Sequence, residues 1–304
     1  MVALKSIDVL AASGLALVAL GACAAPASAQ YAYFAQSTDT IRIEGDTQLG
    51  TTATYEAVVK VLSNPLGSGM LYNEHMPAQE NKSLWIGPSF LSGYAWPNSN
   101  ESLYVATCLH PGRWIHVAYV NTGAMESLYV DGMLLTSRSS GSNVGDSSAP
   151  GSVGAIGAVK RVDVSSVLPS FIGLVDSFRV SNAALYSGPS FTPPSGDLPV
   201  LPSTVLLFNF NEAPGSTTIA DESPMGMHGT LGVGFSEATA PVLGGEDVWT
   251  EQAADLDCDG RVDGTDLGIL LGSWGSCSGC RADVDGDGDV SGTDLGILLG
   301  AWTI

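Results

Sequence analysis

Acidic side chains recur at alternate positions in two stretches near the end of the chain. The stretches are DLDCDGRVDGTDLGILLGSW (residues 255–274) and DVDGDGDVSGTDLGILLGAW (residues 283–302), displaced by 28 positions and identical at 15 of 20. Each copy has Asp at loop positions 1, 3, 5 and 12 and Gly at position 6. Alternate acidic residues in a tight glycine turn bring several oxygen ligands onto one cation, so the spacing predicts two calcium loops.

The predicted ligands are the side chains at loop positions 1, 3, 5, 9 and 12 and the main-chain carbonyl at position 7. In chain order they are Asp255, Asp257, Asp259, Arg261, Asp263 and Asp266 in the first loop, and Asp283, Asp285, Asp287, Asp289, Ser291 and Asp294 in the second. Calcium is preferred over magnesium because the oxygens are many and the loop is flexible. No catalytic residue and no other cofactor is predicted.

Each loop runs into the segment GTDLGILLG, which predicts a helix that carries the position-12 carboxylate in its first turn. Leu267, Leu271 and Trp274 fall at i, i+4 and i+7, a spacing that predicts a buried apolar stripe. A disordered acidic tail would lack this pattern. Glycine inside a helix costs about 1 kcal/mol relative to Ala. The repeated glycines therefore favour a smooth helix face for close packing, between the copies or against a partner.

A calcium loop followed by a single helix, duplicated at short spacing with Asp at position 12, resembles the type I dockerin module. The resemblance covers residues 255–302. It implies two calcium-loaded units that dock into a cohesin-like module on a scaffold or cell surface. It also implies that loop positions 10 and 11 form the recognition surface: Gly264, Thr265, Gly292 and Thr293. The glycine-rich helices and the intervening Cys277-Ser-Gly-Cys280 depart from the family pattern.

The chain has 304 residues, with 31 acidic and 11 basic side chains and a net charge of −20. Such a chain repels nucleic acid and anionic membranes, so neither is an expected partner.

The N-terminus has the pattern of an export signal over residues 1–29. Lys5 precedes a short apolar run, and Ala27-Ser28-Ala29 forms a small-residue cleavage site. The expected location is therefore extracellular or at the cell surface, with no transmembrane span, since the apolar run is short. Leu20-Gly21-Ala22-Cys23 also resembles a bacterial lipobox, so a lipoprotein anchored through Cys23 is the alternative.

Export permits disulfides. Cys108 ends a strand-like run and is predicted to be a buried core thiol. A local disulfide is expected between two of Cys258, Cys277 and Cys280, with the pairing open, because no second Cys or His pair accompanies Cys277 and Cys280 to form a zinc site.

The middle of the chain predicts an all-β antiparallel jelly-roll sandwich. Alternating segments such as TATYEAVVKVL, WIHVAYVN and SLYVDGMLLTS read as strands separated by Gly, Ser, Asn and Pro. Asp131-Gly132 between apolar runs indicates a tight hairpin. The full predicted fold is this sandwich followed by a small α-helical module of two calcium loop-helix repeats.

The order of the strand-like segments resembles the laminin-G-like, concanavalin-A-type jelly roll of secreted bacterial proteins. TATYEAVVKV, GRWIHVAYVNTGAMESLYVDGMLLTS, FIGLVDSFRVSNAALYSG and LLFNFNEAPGSTTIADESPMGMHGTL carry the resemblance. The last segment usually opens such a domain; here it either closes the same sandwich or begins a truncated second copy. The predicted domains are a signal peptide (1–29), the jelly roll (30–243), a linker (244–254) and the dockerin-like module (255–304).

The resemblance implies a non-catalytic recognition or adhesion protein that binds a glycan or an extracellular protein. Residues 70–77 and 94–100 offer aromatic and amide groups in loop-like settings for such binding. The alternatives are a polysaccharide-degrading hydrolase that carries a dockerin, and a structural surface protein. The sequence has no Glu-x-Asp-x-x-Glu string to place paired carboxylates on one strand face, so the enzyme alternative is disfavoured.

Overall fold

The computed structural model describes residues 31–45, 47, 49–62, 69–76, 79–95, 102–109, 111–140, 153–160, 167–244, 254–277 and 280–303. The predicted signal peptide with Cys23, and most of the predicted linker, lie outside these residues. The elements in chain order are β1 (Ala32–Phe34), β2 (Thr40–Glu44), β3 (Ala53–Val61), β4 (Gly69–Met76), β5 (Gln79–Gly87), β6 (Phe90–Ala95), β7 (Leu103–Ala106), β8 (Trp114–Asn121), β9 (Met125–Val130), β10 (Met133–Ser139), β11 (Val153–Gly157), β12 (Val159–Lys160), β13 (Val167–Leu168), β14 (Gly173–Ser181), β15 (Thr204–Phe208), β16 (Thr218–Ile219), β17 (Gly229–Leu231), β18 (Val242–Leu243), α1 (Gly264–Gly272), β19 (Gly275–Ser276), β20 (Asp289–Val290) and α2 (Gly292–Gly300).

Two large antiparallel sheets form a sandwich, which confirms the predicted fold class. The first sheet has the order β10-β9-β8-β3-β14-β1-β18, with β15 also paired to β14. The second sheet has the order β16-β17-β2-β11-β4-β5-β6-β7. Non-consecutive neighbours such as β3–β14 and β2–β11 are crossovers of the jelly-roll kind.

The core lies between the sheets and is built from inward-facing apolar and aromatic residues. Tyr55 of β3 stacks on Tyr119 of β8 across 5.3 Å, and Tyr72 of β4 contacts Phe178 of β14 at 4.9 Å between ring centroids. All four side chains are buried in one cluster with the alternate residues of both sheets. The period-two alternation of the sequence thus places one face of each sheet against the other.

Residues 204–243 complete both sheets. β15 pairs with β14 in the first sheet, while β17 pairs with β2 and β16 extends the second sheet. β18 then closes on β1. The side chain of Asp221 fixes this segment, since its carboxylate accepts hydrogen bonds from the backbone N–H groups of Leu207, Ser223 and Met227.

The predicted hairpin at Asp131-Gly132 is confirmed. β9 and β10 pair through a two-residue connection in which Asp131 has φ 47° and Gly132 has φ 75°. Both residues are left-handed, as a type I′ turn requires. A Cβ on Gly132 would also lie 2.0 Å from the Phe191 carbonyl oxygen, which packs against this turn.

An arm, residues 182–199, covers the outer face of the first sheet. Tyr186 and Phe191 stack at 3.6 Å, and the His116 ring meets both of them edge-on. Beneath the arm, Glu56 accepts hydrogen bonds from Arg179 Nε at 2.8 Å, Tyr186 at 2.6 Å and His116 Nε2 at 2.9 Å. His116 is therefore a hydrogen-bonded histidine of the fold.

Glu56 is held as an anion inside the protein. Burial opposes the charged form, but the hydrogen bond from His116 and the charge of Arg179 outweigh it and lower the pKa of Glu56. Arg179 also donates to the Pro199 carbonyl oxygen. The Glu56–Arg179 pair thus ties two strands of the first sheet to the arm.

The C-terminal module consists of two loop-helix units whose helices pack on each other around a small core. Leu270 and Leu298 are fully buried, and Val262 and Val290 at loop position 8 are buried with them. The predicted stripe was wrong in part: Leu267 is half-buried, but Leu271 and Trp274 are 53% and 51% exposed. Nine-residue helices bury the face that carries the position-12 Asp, which turns Leu271 outward.

The helix glycines do not mediate close packing between the two copies. A Cβ placed on Gly264, Gly268 or Gly272 would meet no atom within 4 Å, and the same holds for the equivalent glycines of α2. The first of the two packing alternatives is therefore wrong. The glycine face is open to solvent.

Two disulfides join the four cysteines of the described residues. Cys277 pairs with Cys280, which confirms a local bridge within the module. Cys108, predicted to be a free core thiol, instead pairs with Cys258, with 5.7 Å between their Cα atoms. The first calcium-loop candidate is thus covalently attached to the connection between β7 and β8. No helix in the described part of the chain has the length and apolar character needed to cross a membrane.

Candidate functional site

The two acidic loops bring their first three aspartates together as predicted. Carboxylate oxygens of Asp255, Asp257 and Asp259 lie within 4.8 Å of one another, as do those of Asp283, Asp285 and Asp287. Both triads could hold a metal ion. The first residue of each triad is buried and the others line the open side of the loop.

Backbone geometry shapes each loop around its triad. Gly260 and Gly288 at position 6 have φ values of 87° and 97°, in the left-handed region. Their N–H groups donate to Asp255 and Asp283 at 3.0 Å. The bend at position 6 therefore turns the chain back onto the position-1 carboxylate, as the sequence predicts.

The position-12 aspartates lock the loops rather than standing free. Asp266 is fully buried and accepts hydrogen bonds from the N–H groups of Leu256, Asp257 and Asp263. Asp294 does the same in the second loop, where burial opposes its charge but hydrogen bonds from Ser291 and Val284 outweigh burial and lower its pKa. Each carboxylate retains lone pairs for a further partner.

The remaining predicted ligands occupy helix caps and turns. Asp263 and Ser291 at position 9 are N-caps, accepting hydrogen bonds from the N–H groups of Thr265 and Thr293. Arg261 and Asp289 stand at position 7, directly after the glycine bend. The predicted recognition residues Gly264, Thr265, Gly292 and Thr293 are all exposed at the start of the helices.

The charge balance of the first triad favours a bound cation. Burial, opposed by a hydrogen bond from Gly260 and aided by the charges of Asp266, Asp259 and Asp257, raises the pKa of Asp255 to about 6. Asp266 is thus close enough to the triad to act on its charge. Bringing these carboxylates together is unfavourable without a positive partner.

In the second triad a buried ligand atom is left without a partner. Asp283 is only 6% exposed, and its Oδ1 accepts no hydrogen bond, whereas Oδ2 accepts one from Gly288. Burying an acceptor of a charged group without a partner is costly. A divalent cation held by Asp283, Asp285 and Asp287 would satisfy that oxygen, so the residues present fit a metal ion.

The two loops differ at position 4. Gly286 has φ 77° there, and Cys258 occupies the same left-handed conformation with φ 62°. A non-glycine residue is uncommon in this region. Both loops thus require the left-handed conformation at position 4, and in the first loop this position also carries the disulfide to Cys108 that attaches the loop to the sandwich.

The outer face of the second sheet carries an aromatic strip. Trp85 of β5, Phe90 of β6 and Tyr104 of β7 project from this face, and Tyr104 is 59% exposed. Phe90 and Tyr104 stack at 5.7 Å with 19° between their planes. Gly87 allows this arrangement, because a Cβ there would lie 2.5 Å from the Phe90 ring.

The two segments predicted to offer loop-borne sugar contacts are mostly strand. Residues 69–76 form β4, in which Met70 and Tyr72 are fully buried, and Tyr94 is buried at the end of β6. Residues 96–100 lie outside the described residues. Sequence reasoning missed the aromatic strip; the alternation of β5 and β6 is the signal that could have found it.

One pair of neighbouring carboxylates lies on the sandwich. Asp176 occupies the bulge of β14, where burial and, to a lesser extent, the charge of Asp197 raise its pKa to about 6. Asp197 accepts a hydrogen bond from Asn211 at 2.8 Å. The bulge places Asp176 away from the aromatic strip, on the other sheet.

Solved structures resemble the sandwich in fold. A proposed carbohydrate-binding protein from Bacteroides ovatus matches with a TM-score of 0.50 and 17% identity over 71% of this chain. The chain spans 61% of the length of that structure. The CBM40 of a Ruminococcus gnavus sialidase, solved with α2,3-sialyllactose, matches with a TM-score of 0.43 and 14% identity over 53% of this chain and 95% of its own. Mouse laminin α1 domains LG4-5 match with a TM-score of 0.38 and 16% identity over 56% of this chain and 48% of their own.

The two sheets and the likeness to the Bacteroides ovatus structure define the fold as an antiparallel jelly-roll sandwich. No protein-family model and no curated protein sequence matches the chain.

Proposed function

We propose that the protein is an exported, non-catalytic glycan-binding protein that is attached to an extracellular assembly through a calcium-dependent docking module. The stacked pair of half-buried Phe90 and exposed Tyr104 carries the glycan-binding part of this proposal. The two disulfides support export, since such bonds persist in oxidising compartments. The proposed carbohydrate-binding protein from Bacteroides ovatus has a similar fold, which agrees with this proposal.

The aromatic strip suits a sugar because its rings offer flat apolar surface beside polar groups. Tyr104 lies across the strand pair from Ser92, and Ser92 lies across from Trp85. A sugar ring stacked on Tyr104 and Phe90 would cover apolar surface that is now in water. Exposed aromatic residues grouped on one sheet face are typical of binding surfaces rather than of inert surface.

A substitution at the strip tests glycan binding directly. We expect Tyr104→Ser to weaken binding of the full-length protein to its glycan by about tenfold, because a stacking contact is lost. Binding is measured first on a glycan array and then by titration calorimetry. Met133→Ser, which removes an equally exposed apolar side chain from the first sheet, is the matched control and should leave affinity unchanged. An array on which no glycan binds would overturn the glycan-binding proposal.

Calcium is the proposed ion in both acidic loops. Asp255, Asp257 and Asp259 would hold one ion and Asp283, Asp285 and Asp287 the other, with the carbonyls of Arg261 and Asp289 and the position-9 and position-12 residues completing the shells. The unpartnered Oδ1 of buried Asp283 is the observation that supports a cation here. Bound calcium would offset most of the mutual repulsion of the carboxylates in each triad and so stabilise the two helices.

The exposed faces of the helices form the proposed docking surface. Thr265, Leu271 and Trp274 are exposed on α1 and just beyond it, and Thr293, Leu299 and Trp302 repeat them on α2. Two copies of one surface would let a cohesin-like partner bind in either of two orientations. Aromatic and large apolar side chains of this kind commonly dominate binding energy.

Because the proposed recognition surface is present in two copies, we expect cohesin binding to be lost only when both copies are substituted. We expect Thr265→Arg or Thr293→Arg alone to retain binding to an immobilised type I cohesin, because the other copy can still dock. The double variant should lose binding by at least about 100-fold, since both orientations now place a bulky charge in the interface. Surface plasmon resonance in calcium-containing buffer measures this, with Thr217→Arg on the sandwich as the control. Failure of the unaltered protein to bind cohesin, or equal loss in the single variants, would contradict the dual-orientation docking.

A further inference from the structure

A pocket on the outer face of the second sheet is separate from the aromatic strip and lies beside it. Its volume, counted together with the adjoining space that is open to solvent, is about 320 Å³. It is formed by β2, β11 and β12 together with the turn after β17. Its floor is apolar, from Ala155, Ala158 and Val159, and Val233 and Phe235 form one wall. The pocket is open to solvent, so it can contact one side of a sugar ring rather than enclose the ring.

The only charged side chains among the described residues that line this pocket are basic. They are Arg42 of β2 and Lys160 of β12. The chain has 31 acidic and 11 basic residues. A lining with two basic and no acidic side chains is therefore unexpected from the composition. The other described basic side chains serve the fold in several cases, as Lys82 does with Glu74 and Arg179 with Glu56.

Arg42 and Lys160 each have an acidic neighbour that does not line the pocket. Glu44 lies 2.8 Å from Arg42 Nε, but this contact lacks hydrogen-bond geometry, and the two side chains are 35% and 68% exposed. An exposed ion pair of this kind is weak, and the guanidinium keeps its other N–H donors. Glu237 is fully exposed; a hydrogen bond with Ser236 is the main cause of its lowered pKa, and Lys160 contributes least.

The pocket wall is held in place by the backbone. The N–H of Gly232 donates to the Thr40 carbonyl at 2.8 Å, and Thr40 donates to Thr239 at 3.0 Å. Thr239 also donates from its hydroxyl to Asp39 at 2.6 Å. Both ends of the 232–239 turn are therefore fixed to the start of β2, which keeps the pocket wall in place.

The apolar cluster under the pocket connects it with the aromatic strip. Ala155 and Val159 of the pocket floor pack with Met70, and Trp85 packs against the same cluster. Trp85 is also the inner member of the strip. The pocket and the strip thus share one apolar cluster on this face of the sheet.

We propose that this pocket binds an anionic sugar residue, with Arg42 and Lys160 contacting its acidic group and the apolar floor contacting its ring. The inference rests on the proposed glycan binding and adds the class of glycan to it. Charged hydrogen bonds to the acidic group would give selectivity over neutral sugars. A carboxylate and a sulfate share this chemistry.

The test uses the full-length protein and matched glycan pairs. Oligosaccharides ending in glucuronic, galacturonic or sialic acid are titrated beside their carboxyl-reduced counterparts and beside sulfated analogues of the neutral sugars. We expect binding to an acidic member to fall by about 10- to 100-fold on carboxyl reduction, and by a similar factor in Arg42→Gln/Lys160→Gln. Binding confined to sulfated analogues, and lost in the same variant, would assign the acidic group as sulfate.

Controls separate this inference from the proposal on which it rests. Arg113→Gln lowers the positive charge elsewhere and should change affinity less than about twofold, because distant surface charges are screened. Thermal melts confirm that the variants are folded. Binding of neutral glycans only, or acidic-glycan binding that survives in the double variant, would overturn the pocket assignment and leave glycan binding intact. A chain that binds no glycan at all would overturn both.

Discussion

Chelation of divalent metal is expected to unfold residues 254–303 while the sandwich stays folded. Among its described residues the module has a core of seven buried apolar residues, from Ala254 to Leu298, and two triads of mutually repelling carboxylates. A module of this size depends on metal or disulfides for its stability. Hydrogen-exchange mass spectrometry should show lost protection in α1 and α2 in EDTA, unchanged protection in β3 and β14, and full recovery on adding calcium.

Two substitutions that each remove one negative charge distinguish the loss of a calcium ligand from a general change in the charge of the module. Asp283→Asn removes a buried ligand carboxylate and should reduce calcium affinity by at least about tenfold, the usual cost of a charged ligand. Asp289→Asn is the control, since its side chain is exposed and its proposed ligand is the backbone carbonyl. Hydrogen-exchange protection of α1 and α2 that does not change in EDTA would refute the calcium proposal. An equal loss of calcium affinity in both variants would also refute it.

Loss of the Arg179 side chain is expected to be the most damaging single change in the sandwich. Arg179→Met leaves the buried carboxylate of Glu56 without its cation, and breaking a buried pair in this way costs about 3–5 kcal/mol. For a sandwich of this size that loss lowers the melting temperature by about 6–20 °C. Differential scanning calorimetry in calcium buffer measures it.

A second substitution shows whether the uncompensated charge is the cause. Glu56→Gln in the Arg179→Met background removes that charge and should recover part of the lost stability. Arg138→Met is the comparison, because Arg138 is half-buried and its partner Glu126 keeps a hydrogen bond from Tyr119. A melting temperature of Arg179→Met equal to that of the unaltered protein would exclude a stabilising role for the pair.

Local patterns made much of this structure predictable. The alternation of TATYEAVVKV sets β3 with its core face, and Asp131-Gly132 alone specifies the hairpin between β9 and β10. The spacing of the acidic residues likewise determines which aspartates meet, because three alternate side chains in a tight turn converge on one point. Each of these features depends on residues within about a dozen positions of one another.

Features that depend on distant residues could not be predicted. Arg42 and Lys160 are 118 positions apart in the sequence and line one pocket only because β11 pairs with β2 and β12 follows it. Cys108 and Cys258 are 150 positions apart. Leu271 was assigned to the wrong side of α1 because two faces of a short, glycine-rich helix are nearly equal in hydrophobicity. The buried Asp266 decides between them, since its three backbone hydrogen bonds hold that face inward.

The Cys108–Cys258 disulfide also determines how the protein would bear mechanical tension. A pull on the C-terminal module, with the sandwich held by a ligand, would pass through Cys258 to the strand connection at Cys108 instead of along residues 245–253. The covalent route remains intact when the linker is stretched or cut, so a proteolytic nick there would not release the module. The first acidic loop would therefore transmit the force to the sandwich. The second acidic loop has no disulfide to the sandwich, so we expect it to unfold first under tension.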